Sequence, residues 1–254
     1  MKNFIKMVGV FALLIVALVA YVFPVETLAI AGVTMLYAPA AIVAERKLFD
    51  KLVKQYGAQN IVPSPSYLRV EQALSNTSGK YLFDIKKNGN ETATERKLDR
   101  NDLFVVTRIG VYLHKEDTTK IGLNSLQTYP NTTYFGTQSG FTVAHLETIY
   151  NGFLSLKVGQ KVNIESLSMQ VFRYVSTSQE SSSIGKSEFN VSEYTYQGAE
   201  DIMLYGTRSI EINVEFPTYT GMQIAATAAN TKHKLVFHPY GFLLKNGALL
   251  EDKV

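Results

Sequence analysis

The fold is decided by the stretch DLFVVTRIGVYL, which runs from Asp102 to Leu113. Alternate positions from Leu103 to Leu113 carry Leu, Val, Thr, Ile, Val and Leu, whereas the positions between them mix apolar residues with Arg108 and Gly110. Side chains of a β-strand point alternately to its two faces. The pattern therefore predicts a strand whose core-facing side is the set from Leu103 to Leu113 and whose second face is mixed. Gly110 predicts a β-bulge or close packing by a neighbouring side chain.

Weaker strand patterns follow along the rest of the chain. SIEINVEF (Ser209–Phe216) alternates apolar and polar residues as a half-exposed strand does, and LSMQVFRYV (Leu167–Val175) alternates over a similar length. Asn151-Gly152 is a signal for a hairpin turn or a bulge. KLVFHPYGFLL (Lys234–Leu244) predicts a last strand that Pro239-Tyr240-Gly241 breaks or bends.

The chain as a whole is organised as a series of strands. It contains roughly eight to ten short strand patterns separated by Gly, Asn and Pro turns, with no helical pattern between consecutive strands. An α/β fold would alternate helices with strands. We therefore predict an all-β fold, an antiparallel sandwich.

A long apolar stretch precedes this β-region. Between Met7 and Ala44 the only charged residue is Glu26. Such a stretch is incompatible with the surface of a small soluble domain. Three interpretations stay open: a cleaved signal peptide, a membrane anchor or helical hairpin that turns at Pro24, or an apolar arm buried between subunits. For the last two, we single out these residues as membrane or inter-subunit contacts: Phe11, Leu14, Val16, Leu18, Leu28 and Leu36.

The segment ERKLFDKLVKQY (Glu45–Tyr56) has apolar residues at helical spacing and charges on the opposite face. It predicts an amphipathic helix that packs on its own domain, on a membrane surface or on a neighbouring subunit. IVPSPS (Ile61–Ser66) is typical of an extended linker, because proline disfavours helix in the residue before it. We place the domain boundary here: residues 1–60 hold the apolar helical segment and the amphipathic helix, and residues 61–254 hold the β-sandwich.

No motif for catalysis or cofactor binding occurs in the sequence. The four histidines, His114, His145, His233 and His238, lack the spacing of metal ligands on a helix. The absence of cysteine excludes disulfides and Cys-ligated metals. The formal net charge is only +3, and its basic residues are scattered among acids, so no specific nucleic-acid binding is predicted. We therefore expect no enzymatic activity, no cofactor and no metal.

Four segments of the β-region carry a family resemblance. They are RNDLFVVTRIGVYL (100–113), TIYNGFLSLKVGQKVNI (148–164), SIEINVEFP (209–217) and HPYGFLLKNGA (238–248). Over about residues 99–248 the chain resembles the β-barrel capsid proteins of tailless, lipid-containing bacteriophages. The resemblance implies a jelly roll, single or doubled, whose copies trimerise into capsomers over an internal membrane. The roughly 190 residues after the apolar segment favour a single barrel.

The apolar N-terminus departs from this family, whose major capsid proteins usually lie on the membrane and do not span it. It fits a minor, membrane-anchored virion protein or an apolar arm in the shell. We therefore predict a structural protein of the virion that contacts copies of itself, as a trimer or higher homo-oligomer, together with a lipid membrane and other virion proteins.

Tyrosine-rich strands offer large, ordered contact areas to neighbours. The predicted assembly surface comprises Tyr194, Tyr196, Phe216 and Tyr219. The alternative function is a membrane-anchored β-sandwich of the bacterial envelope that binds a protein or carbohydrate partner. A membrane-tethered enzyme is a third hypothesis.

Overall fold

The computed structural model describes residues 45–57, 61–120, 126–128, 148–173, 196, 202–226 and 229–249. In these residues the protein is mostly antiparallel β-sheet, as the sequence predicts. The chain divides into two units, Met1–Lys51 and Leu52–Val254, and every strand described below belongs to the second. The domain boundary predicted near residue 61 stays a prediction.

Residues 45–56 form a helix, α1, where the apolar spacing predicts one. Leu52 and Tyr56, one turn apart, are buried, whereas Val53 is exposed. Among the helices in the described part of the chain, none has the length and apolar character needed to cross a bilayer.

Nine strands are described. In chain order they are β1 (Ser64–Tyr67), β2 (Val70–Ala73), β3 (Lys80–Leu82), β4 (Leu103–Asp117), β5 (Phe153–Val158), β6 (Lys161–Ser168), β7 (Ile202–Tyr205), β8 (Ile210–Glu215) and β9 (Thr231–Leu244). A 3-10 helix, Met169–Phe172, follows β6, so the strand predicted over Leu167–Val175 was wrong. The Ser168 hydroxyl caps this helix by accepting a hydrogen bond from the Gln170 amide, and such a cap favours a helical turn over an extended strand.

The strands form two antiparallel sheets. The first sheet has the order β1-β9-β4-β7, and β2 also pairs with β9. The pairing runs from Ser64 opposite Leu243 to Ala73 opposite Lys234, so β1 and β2 act as one interrupted strand along β9. The second sheet has the order β3-β8-β5-β6.

The hydrophobic core lies between the two sheets. Val111 and Phe237 contribute to it from the first sheet, and Leu156 and Val214 contribute from the second. The ring of Phe83, which follows β3, packs 5.9 Å from the ring of Phe237. Two sheets that share one core in this way form a sandwich.

The central strand β4 contains a bulge that the sequence pattern did not reveal. Its pairing with β9 shifts register between Val106 and Arg108, and the Thr107 hydroxyl donates a 3.2 Å hydrogen bond to the Tyr240 carbonyl. The extra residue switches the core-facing parity, so Phe104 and Val106 join Ile109, Val111 and Leu113 in the core. The predicted core-facing set was therefore wrong for the first half of the strand.

Gly110 serves the second of its two predicted roles, close packing. A Cβ atom there would collide with the ring of Tyr112, two residues along the same strand. Strand β9 is not broken at Pro239-Tyr240-Gly241, as it runs continuously from Thr231 to Leu244. The irregularity lies instead in its partner β4, opposite this tripeptide.

The chain connections divide between the two ends of the sandwich. At one end, which we call the loop end, the Thr118 amide donates to Asn230 O and the Phe216 amide donates to Gly79 O. The strand ends at this end of the sandwich are joined along the chain by residues 74–79, 118–152, 169–201 and 216–230, of which the structure describes only a part. The opposite end has two short turns, 159–160 and 206–209, and the connection 83–102. Most of the chain length that joins one strand to the next therefore starts and finishes at the loop end.

Candidate functional site

The described residues do not bring catalytic or metal-ligating groups together. No three His, Asp or Glu side chains among them lie close enough to hold a metal ion. His114, His233 and His238 are buried on strands β4 and β9, and the His233 Nδ1 atom lies 2.8 Å from Ile224 O. His145 lies outside the described residues.

The outer face of the first sheet, away from the core, carries a set of charges that we call the charge ladder: Arg69, Glu71, Lys234 and Glu116. Lys234 Nζ lies 2.7 Å from Glu71 Oε2 and 2.8 Å from Glu116 Oε1. Arg69 Nη2 lies 2.6 Å from Glu71 Oε1. The ladder therefore crosses three strands, from β2 through β9 to β4.

The ladder is buried, and its ionised state depends on its own partners. Burial by itself would raise the pKa of Glu71, but the hydrogen bond from Lys234 and the charge of Arg69 outweigh burial and lower this pKa. Burial likewise opposes the charge of Lys234, whereas its bonds to Glu116 and Glu71 raise its pKa. Glu71 and Lys234 are thus both charged at neutral pH and bonded to each other. Such a network holds strands in register and has no free group for chemistry.

Beside the ladder lies a second group, which we call the arginine–aromatic row: Arg96, Tyr67, His238, Tyr240 and Arg108. The Tyr67 and His238 rings stack with centroids 4.9 Å apart, and His238 and Tyr240 are 4.4 Å apart. The Arg96 guanidinium lies 5.4 Å from the Tyr67 centroid, and that of Arg108 lies 5.8 Å from the Tyr240 centroid. Three rings are therefore bracketed by two guanidinium groups.

The row differs in exposure along its length. His238 is 7% exposed, and burial, together with the nearby charge of Arg69, lowers its pKa to about 4. It is therefore neutral at neutral pH. At the β1 end of the row, Tyr67 is 42% exposed and Arg96 is also exposed. Tyr240 and Arg108, at the other end, are half-buried, so the row is most exposed at Tyr67 and Arg96.

A shallow pocket of about 460 Å³ opens at the loop end. Its lining includes the exposed Phe153 ring, Asn151 and the ion pair between Lys80 and Glu215, whose Nζ and Oε1 atoms are 2.6 Å apart. Two backbones approach closely here, because Gly152 leaves no room for a Cβ atom against the Glu215 carbonyl. The pocket thus combines an apolar ring with polar groups.

Asn76 ties two connections of the loop end together. Its Oδ1 atom accepts hydrogen bonds from the amides of Ile224, at 2.7 Å, and Ala225, at 2.8 Å. The Tyr81 hydroxyl, near the same connection, donates to Ser78 O at 2.9 Å. Residues 74–79 and 216–230 are therefore linked by side chains as well as by backbone.

The predicted contact residues have different positions. Tyr219 is 41% exposed, and Tyr196 is half-buried and pairs with Ile109 as an isolated bridge. Phe216 is only 6% exposed and stacks on Tyr81 at 5.3 Å, so a single chain does not offer this ring to a neighbour. The assembly role of these residues stays a prediction. The other predicted contacts lie outside the described residues: Phe11, Leu14, Val16, Leu18, Leu28, Leu36 and Tyr194.

Sequence reasoning missed both the charge ladder and the arginine–aromatic row. A signal was present, because Lys234, His238 and Tyr240 share one parity within an otherwise apolar strand. Their partners on β1, β2 and β4 are remote in sequence, and no local pattern points to them.

Comparisons of this chain with known protein families, with curated proteins and with solved structures found no match.

Proposed function

We propose that the β-domain is a single jelly roll and that the protein is a structural subunit of a virus particle. The order of strands in the two sheets is the observation that carries this proposal. When β1 and β2 count as the first of eight strands, the first sheet reads 1-8-3-6 and the second reads 2-7-4-5.

This order is what results when an antiparallel ribbon of eight strands is folded in half and rolled up. Folding pairs the first strand with the eighth, the second with the seventh, the third with the sixth and the fourth with the fifth. The corresponding pairs are β1 with β9, β3 with β8, β4 with β7 and β5 with β6. Rolling then adds the pairs β4 with β9 and β5 with β8. A jelly roll of two Greek keys has this arrangement.

The fold alone does not decide function, because jelly rolls also occur in lectins and cupins. A cupin-type site requires converging metal ligands, and the described residues contain no such group. The apolar stretch from Met7 to Ala44 favours a protein that acts at a bilayer or inside an assembly. The resemblance of residues 99–248 to capsid proteins of lipid-containing bacteriophages is the reason why we propose a capsid subunit within this class.

In this proposal the apolar N-terminal segment is helical and contacts the membrane or sister chains, and the jelly roll packs beside other copies as a trimer or higher oligomer. The test is to express the full chain in a bacterial host and to examine density-gradient fractions by negative-stain electron microscopy. We expect capsomers or shells of uniform buoyant density. Monodisperse monomers in every fraction would contradict the proposal.

The second candidate is a membrane-anchored envelope protein that binds a carbohydrate or protein partner. It is favoured by the loop-end pocket, where Phe153 and Asn151 offer an aromatic face and an amide to a ligand. The same fractionation separates the two candidates, because an envelope protein would remain with the host membranes and form no particles.

A further inference from the structure

We propose that the exposed end of the arginine–aromatic row binds the phosphate of anionic phospholipid headgroups, with Arg96 as its principal donor. This proposal rests on the proposed function, since it supplies the contact between the jelly roll and a lipid surface. It concerns a surface that the sequence analysis did not single out.

Arg96 is an exposed guanidinium, and no acid of the described residues lies within ion-pair distance of it. Within the described part of the chain it forms no ion pair, and its side chain contacts the Tyr67 ring. Its neighbour Arg69, by contrast, is bonded to Glu71 at 2.6 Å. Strand pairing places Arg69 and Arg96 opposite each other, because each donates its backbone amide to the carbonyl of the other. Among the described residues, Arg96 thus carries a positive charge without an acidic partner, at the β1 edge of the sheet.

The contact with Tyr67 orients the Arg96 guanidinium for phosphate binding. A guanidinium that lies over an aromatic ring keeps its N–H donors in the plane of the group, where they match two oxygens of one phosphate. Tyr67 is in turn stacked on His238 with the rings 10° from parallel, and His238 is buried. The donor group is therefore supported from behind by a ring system that is anchored in the sheet.

The geometry favours a lipid over a nucleic acid as the source of the phosphate. Single-stranded nucleic acids bind by stacking their bases on free aromatic faces. The Tyr67 ring already has two partners, the Arg96 guanidinium at 5.4 Å and the stacked His238 ring at 4.9 Å, so it is not a free platform for a base. A headgroup needs no such face, and Tyr and Arg together are typical of the membrane–water interface. Strand β1 also begins at Ser64, soon after the apolar stretch that ends at Ala44.

The test measures how strongly the full chain prefers anionic vesicles. Co-sedimentation is compared between vesicles of phosphatidylcholine alone and vesicles that also contain phosphatidylglycerol. The apolar segment contributes equally to both, so the difference between them reports on headgroup charge. We expect Arg96→Gln to lower the preference for phosphatidylglycerol by about fivefold, the typical contribution of one basic residue near an anionic surface.

Arg208→Gln is the matched control. Arg208 also lies over a tyrosine ring, 5.1 Å from the Tyr205 centroid, but it belongs to the turn that follows β7, and β7 lies at the edge of the first sheet opposite to β1. It should leave the preference unchanged. Arg96→Lys keeps the charge but loses the planar pair of donors, so it should retain only part of the preference. Circular dichroism of each variant checks that the fold is intact.

Two competitors distinguish the sources of phosphate. In the first competition, excess inorganic phosphate or sulfate is added at low ionic strength. If phosphate abolishes the preference for phosphatidylglycerol and sulfate does not, the site binds free phosphate and the lipid assignment is overturned. A single-stranded oligonucleotide that binds more tightly than the vesicles, in an Arg96-dependent way, overturns it as well. An unchanged preference in Arg96→Gln refutes the site altogether. Because particle formation is scored separately, the site can fail while the proposed function survives, and the reverse also holds.

Discussion

Lys234 and Glu71 form a buried ion pair, with Nζ and Oε2 2.7 Å apart, although the two residues are 163 positions apart in the chain. The same ammonium group also bonds Glu116. One side chain therefore connects the edge strand β2, the long strand β9 and the central strand β4.

Removal of the central charge should destabilise the domain strongly. Lys234→Met removes the ammonium group that Glu116 bonds and one of the two cationic partners of Glu71, and loss of one partner from a buried pair costs about 3–5 kcal/mol. The free energy of unfolding, measured by urea titration at neutral pH, should fall by this amount. Lys232→Met is the matched control, because Lys232 is exposed on the same strand. A loss of similar size in both variants would contradict the role of the ladder.

His238 should make the domain sensitive to acid. Its folded pKa is about 4, below the ordinary value of 6.5, because it is buried among Tyr67, Tyr112 and Tyr240 and lies near Arg69. Below pH 6.5 the unfolded chain binds a proton that the folded chain does not. Stability should therefore fall as the pH drops from 6.5 to about 4, by about 3 kcal/mol from this residue.

The variant His238→Phe tests this dependence, because it keeps the ring but removes the titration. Its stability should depend less on pH than that of the natural chain between pH 6.5 and 4. Both proteins keep two other groups that lower stability in acid. Burial also lowers the pKa of His233, and the lowered pKa of Glu71 means that its stabilisation is lost as the pH falls. Identical pH profiles of unfolding for the two proteins would refute the assignment to His238.

Gly110 should tolerate no side chain while Tyr112 is present. Gly110→Ala places a methyl group against the Tyr112 ring and should cost about 1–3 kcal/mol, as overpacking typically does. In the double variant with Tyr112→Leu, part of this cost should disappear, which a double-mutant cycle measures. Gly57→Ala, where the new atom would meet only Val53 at 3.8 Å, is the control. If the changes in the free energy of unfolding at positions 110 and 112 are strictly additive, the Tyr112 ring is not what excludes a side chain at position 110.

Asn76 should control the order of the connection 216–230. Asn76→Ala leaves the amides of Ile224 and Ala225 without their acceptor, which costs about 1–3 kcal/mol for buried groups. Hydrogen exchange at these two amides should become faster, while exchange in β4 changes less. Asn90→Ala is the control, because Asn90 lies on an exposed turn. Unaltered exchange at Ile224 would mean that the hydrogen bonds to Asn76 do not hold this connection in solution.

The sequence predicts well those elements whose residues follow a regular pattern over a few neighbouring positions. Ser209–Phe216 alternates over its whole length and contains the strand Ile210–Glu215. The helix over 45–56 follows from apolar residues at a spacing near 3.6. The end of β6 was misplaced because Leu167–Val175 alternates as a strand does, yet the Ser168 cap turns the chain into a 3-10 helix.

The amino-acid sequence by itself determined that this is an all-β protein of many short antiparallel strands, preceded by an apolar stretch, because alternation and turn residues act over a few neighbours. Only the tertiary structure decided which residues of β4 enter the core, since the bulge at Thr107 depends on the strand opposite. It also decided that Lys234 meets Glu71 and Glu116, 163 and 118 positions away. Such contacts depend on the order in which strands pair, and that order is set by burial across the whole domain rather than by any one segment.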